Sequence, residues 1–99
     1  MTTYIATVHK EFDSDYGVQF YDFPGCISVG TTIEEAKTMA TEALTGHLML
    51  MLADGDQIPQ PSNLETIVAD ADQKDAVAFL IIDIPNSIFN QTNKQAIAL

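Results

Sequence analysis

The chain has 99 residues, 46% of them apolar and 18% charged, a balance that fits one small folded domain and excludes wholesale disorder. Fourteen Asp and Glu stand against four Lys, giving a formal charge of −10 and a pI near 4.1. With Lys10, Lys37, Lys74 and Lys94 as its only Lys or Arg residues, the chain alone is not expected to grip a run of phosphates or an anionic membrane.

Taken in chain order, Tyr4 to His9 alternates large and small residues, is rich in β-formers and reads as a strand. Lys10 to Asp15 is a polar turn in which Phe12 reads as buried. Tyr16 to Phe23 alternates again, with Tyr16, Val18 and Phe20 on one face and Gln19 and Tyr21 on the other. Pro24-Gly25 is expected to break this strand, and Cys26 to Gly30 to form a third, completing an antiparallel meander.

A helix is expected over Ile33 to Ala53. Thr32 is its N-cap, Glu35 stands at the capping-box position, and Gly55 follows its end as a left-handed residue. Ile33, Ala36, Ala40, Ala43, Leu44, His47, Leu48 and Met51 form one apolar stripe. Gly46 inside it costs up to ~1 kcal/mol relative to alanine. The last two turns are apolar all round, which calls for a second covering surface. Leu48, Leu50 and Leu52, with Phe79 and Ile81 further on, are the expected contacts of a homodimer or homotetramer.

Asp56 to Ser62 is a loop with two prolines, and Asn63 to Asp72 is either a short helix or a bent extended segment. Ala76 to Ile84 is an apolar run expected as a strand covered on both faces. The resulting order is β-β-β-α-β, an α+β fold with one long helix on one sheet face. The first strand lies in the middle, beside the second and the fourth. Residues 1–85 form the domain, and residues 86–99 a polar tail too short for another core.

Few residues point to chemistry. The carboxylates lie in turns and at the helix start, and the first strand has none, which argues against a metal nuclease built on a central-strand acid. His47 falls on the apolar stripe, and Cys26 follows a turn with no cation nearby to activate it. No catalytic, cofactor-binding or metal-binding residue is expected. The single cysteine suits a reducing cytoplasm, and no apolar run is long enough to span a membrane.

One stretch goes further. Tyr16-Gly17-Val18-Gln19-Phe20-Tyr21-Asp22-Phe23-Pro24-Gly25-Cys26 is followed by a short strand, Gly30, and Glu34-Glu35-Ala36 opening the helix. Ala43-Leu44, Gly55, Ile58-Pro59 and Pro61-Ser62 then come in order, before the apolar run to Ile84. Over roughly residues 3 to 85 this resembles the HicB-type antitoxins of HicA/HicB toxin–antitoxin systems. The resemblance implies a partial RNase H-like fold without catalysis, and neutralisation of a small basic HicA-type toxin that cleaves mRNA. Tyr21 and Asp22, with Gln19 and Phe23 beside them, are the expected toxin contacts. Antitoxins of this type usually add a C-terminal DNA-binding module, for which the fourteen residues after Pro85 are too few. A stand-alone oligomeric regulatory or structural domain and a small carboxylate-dependent hydrolase are the competing readings.

Overall fold

The computed structural model describes residues 1–89. Its elements are β1 (Thr2–His9), β2 (Tyr16–Phe20), β3 (Phe23–Gly30), α1 (Ile33–Ala53), α2 (Leu64–Ala69), a 3₁₀ turn at Ala71–Gln73, and β4 (Ala78–Ile84). The four strands make one sheet in the order β3-β2-β1-β4, and every neighbouring pair is antiparallel. β3 and β4 are opposite edges, so α1, which follows one and precedes the other, is laid across a single face of the sheet. The α+β architecture expected from the sequence is the one observed.

The core lies between that face and α1. Tyr4, Ala6 and Val8 of β1, Val18 and Phe20 of β2, and Leu80, Ile82 and Ile84 of β4 are buried against Ala36, Ala40, Leu44 and Leu48 of the helix. The four buried helix positions recur every fourth residue, which keeps them on one side of a 3.6-residue helix. Small Ala36 and Ala40 bring the start of α1 close to the sheet. A Cβ added at Gly30 would stand 2.4 Å from the Ala36 nitrogen, so the strand meets the helix at a point where only glycine fits.

Both ends of α1 carry the expected caps. Thr32 Oγ1 accepts from Glu35 N at 3.0 Å. The Glu35 carboxylate reaches back one residue further than a standard capping box and accepts from Thr31 N at 2.8 Å. At the other end Asp56 N donates to Met51 O and Gly55 N to Leu52 O, with Gly55 at φ 74°. This is a Schellman closure.

Three local expectations are corrected. The second strand ends at Phe20 rather than Phe23, because the chain turns at Tyr21-Asp22, and Pro24-Gly25 lies inside β3. Neither turn residue has a positive φ, so the turn does not match the strands' twist and the ladder breaks at once. Pro24, Gly25 and Cys26 bulge out between the Phe20–Phe23 and Gln19–Ile27 pairs, with Gly25 at φ 91°. Proline is tolerated there because β3 is an edge. Second, β4 is buried on one face only: Leu80, Ile82 and Ile84 are covered, whereas Ile81 and Asp83 are exposed. Third, Phe12 is not buried but 95% exposed at the tip of the β1–β2 hairpin.

The segment after α1 resolves as helix over Leu64–Ala69, with Asn63 Oδ1 capping Thr66 N at 2.8 Å. Beyond β4, Ile88 and Phe89 pack against the core. The rest of the expected tail, residues 90–99, lies outside the described residues.

Candidate protein-binding faces

Two regions stand out. The first is the β2–β3 turn and the loop strapped to it. Asp22 sits in the turn, and both of its carboxylate oxygens accept from Ser62. The backbone N–H reaches Oδ2 at 2.9 Å and the hydroxyl reaches Oδ1 at 2.5 Å. Three residues earlier on the same loop, Pro59 O accepts from the Tyr4 hydroxyl at 2.7 Å. Two tethers from the sheet thus hold the proline-containing loop, and Ile58 packs on the core. Burial, and secondarily the negative charge of Asp22, push the Tyr4 phenol above its ordinary value, which keeps it a donor.

The expected contact residues divide here. Phe23 is 2% exposed, with its ring 4.8 Å from Tyr4 and 5.8 Å from His47, centre to centre, both edge-on. It is a core residue and not a surface contact, because the tight turn points it inward at the end of the helix stripe. Asp22 is half-buried and its carboxylate is committed to Ser62. Tyr21 is half-buried, and Gln19 is exposed. The Ile58-Pro59 and Pro61-Ser62 pairs were visible in the sequence, but their attachment to Tyr4 and Asp22, 55 and 40 residues away, was not.

The second region is the sheet face that α1 leaves bare. Register fixes which side chains share it. One cross-strand row runs Phe79–Thr7–Gln19–Ile27 over all four strands, flanked by Ile81–Ile5 on one side and His9–Gly17–Val29 on the other. Ile27 is 69% exposed, Val29 52% and Ile81 50%. Thr7 is fully buried between its neighbours, and its hydroxyl lies 3.4 Å from Gln19 O. At the corner, Thr3 Oγ1 donates to Asp83 at 2.6 Å. Gly17 leaves a notch lined by His9, Gln19, Ile27 and Ser28. His9 Nε2 is buried and has no hydrogen-bond partner among the described residues. The sequence put Gln19 on the side away from Tyr16, Val18 and Phe20 and gave Phe79 and Ile81 to an oligomer contact on a strand read as covered on both faces, but it did not assemble this face.

The expected oligomer contacts also divide. Leu48 is fully buried in the chain's own core and leaves the list, because it falls on the stripe facing the sheet. Leu50 is 63% exposed on the outer side of α1, Leu52 is half-buried, and Phe79 and Ile81 belong to the bare sheet face.

Among the described residues, no group of three His, Cys, Asp or Glu side chains gathers to hold a metal. Cys26 is 4% exposed, and burial pushes its thiol upward, away from the reactive thiolate. No helix among the described residues is long and apolar enough to cross a membrane.

One helix on one face of a four-stranded antiparallel sheet, with the opposite face uncovered by any described element, defines a small α+β module. Residues 4–99 match the family model of the HicB-like antitoxin of bacterial toxin–antitoxin systems, and the chain belongs to that family. Among solved structures, the N-terminal domain of the Burkholderia pseudomallei antitoxin HicB is 28% identical. It covers 85% of this chain and 99% of that one, at a TM-score of 0.72. A chain of a HicA3 and HicB3 toxin–antitoxin complex has the same fold, at 21% identity and a TM-score of 0.71 over 85% of this chain and 99% of that one. A 14.9 kDa protein of Haemophilus phage HP1, from the rep-hol intergenic region, is 31% identical over 72 residues, which are 73% of this chain. The match spans about half of that phage protein's length, 54%.

Proposed function

We propose that this chain neutralises a basic, mRNA-cleaving HicA-type toxin by binding it directly. The observation that carries the reading is a family match over residues 4–99 on a chain with a formal charge of −10. An antitoxin so charged is steered toward a cationic nuclease, and once seated it repels the RNA that the toxin would cleave. Residues 1–85 hold this binding function. Tyr21 and Gln19, at the turn and on the strand leading to it, make the contact. Asp22 acts through the strapped loop and Phe23 supports the turn from within.

The test is an RNA-cleavage assay with a basic HicA-type toxin and increasing amounts of this chain. Cleavage is expected to stop near equimolar chain, and co-purification of the two to fail in high salt. Tyr21→Ala is expected to weaken the complex about tenfold, which is ~1.4 kcal/mol. Undiminished cleavage at saturating chain overturns the proposal.

A further inference from the structure

We propose that the open end of the core, between the tip of the β1–β2 hairpin and the start of α1, is an anchor groove for the basic toxin. The inference rests on the neutralisation reading and adds a contact at the end of β2 opposite Tyr21.

The groove lies on the α1 side of the sheet, because Tyr16 and Ala78 continue the inward rows of Val18 and Leu80. Tyr16, Ile33 and Ala78 pack on the core but are only half-buried. With Val77, 56% exposed, they line an open groove of about 550 Å³. Phe12 borders the same groove from the hairpin tip and is 95% exposed, so its ring adds nothing to the chain's own core. The tip that carries it is braced. Ser14 Oγ accepts from Glu11 N at 2.8 Å, and Lys10 Nζ donates to Ser14 O at 2.8 Å while standing 5.4 Å from the centre of the Tyr16 ring. A preorganised aromatic ring beside an apolar groove is the arrangement of a binding anchor.

The charges around the groove select its occupant. Glu11, Asp13 and Asp15 are exposed on the hairpin, and its one cation, Lys10, is turned to the carbonyls of Glu11 and Ser14. A second copy would set the same three carboxylates against these, and an RNA or an anionic membrane would be repelled. A protein surface built to grip RNA phosphates carries the cations these carboxylates pair with. An apolar side chain of that protein fills the groove while Phe12 packs on it. Tyr21 lies five residues beyond Tyr16, about 17 Å along the strand direction. A contact of about 800 Å² per partner is wide enough to reach both.

The test is the dissociation constant of the whole chain for a basic HicA-type toxin, measured by titration calorimetry at low and high salt beside the RNA-cleavage assay. Phe12→Ala, at a solvent-exposed position, should keep the native circular dichroism spectrum and weaken binding at least tenfold. Val77→Glu should weaken it as well although it adds negative charge, so attraction by net charge alone cannot explain the loss. Asp13→Asn with Asp15→Asn should reduce the salt dependence. Leu50→Ala on the outer side of α1 should leave binding unchanged. Wild-type chain that stops cleavage while Phe12→Ala and Val77→Glu bind as tightly overturns this proposal and leaves the neutralisation reading standing. Wild-type chain that neither binds nor inhibits the toxin overturns both. Unchanged toxin affinity with an altered sedimentation coefficient for Phe12→Ala gives the groove to a second copy and also overturns the proposal.

Discussion

Asp22 was the residue most easily read as a partner contact, yet its carboxylate faces inward and takes two hydrogen bonds from Ser62. Asp22→Asn keeps the shape but weakens charge-assisted bonds, and should cost ~1–3 kcal/mol in urea unfolding. The loop's other tether gives a pH signature. Tyr4 is raised above its unfolded value of about 10. Its contribution is therefore complete below pH ~10 and is lost as pH rises through the higher folded-state value. Tyr4→Phe should be less stable at neutral pH by ~1 kcal/mol and should flatten the alkaline fall in stability, measured by unfolding midpoints between neutral and strongly alkaline pH. Gly30→Ala would force a Cβ into the backbone of Ala36, and a loss of ~1–3 kcal/mol is expected from the same measurement. None of these three roles could be read locally. Each depends on a residue distant in the chain or on the close approach of two elements.

At the scale of elements the sequence was more informative. The caps and the buried stripe of α1 follow from spacing alone, and Ala36, Ala40, Leu44 and Leu48 are buried as expected. Leu44→Ala should cost ~2–5 kcal/mol, because a fully buried side chain leaves a cavity against the sheet. Gly46 is different. A Cβ there meets nothing within 4 Å, so Gly46→Ala should raise stability by up to ~1 kcal/mol, seen as a higher thermal midpoint. Strand ends were less legible. Pro24-Gly25 signals a break, and the break occurs at Tyr21-Asp22, because an edge strand accommodates proline in a bulge. The run Ala76–Ile84 read as buried on both faces because every outward position before Asp83 is itself apolar. Hydrophobicity does not separate a covered face from one awaiting a partner.

For the whole molecule, composition made the net charge of −10 legible, and a basic partner is what the proposed function draws from that charge and from the family. Only the assembled sheet distinguishes an almost uncharged face from the acidic remainder, since Ile5, Ile27, Phe79 and Ile81 come from three strands far apart in sequence. The bulge at Pro24–Cys26 has a further consequence. Pro24 offers no amide hydrogen and the bulge interrupts the outer rim of β3, while β4 carries neither obstacle. Strand-by-strand extension by another chain is thereby hindered along the β3 rim. The outwardly apolar strands of this sheet are guarded on that side against running on into fibres.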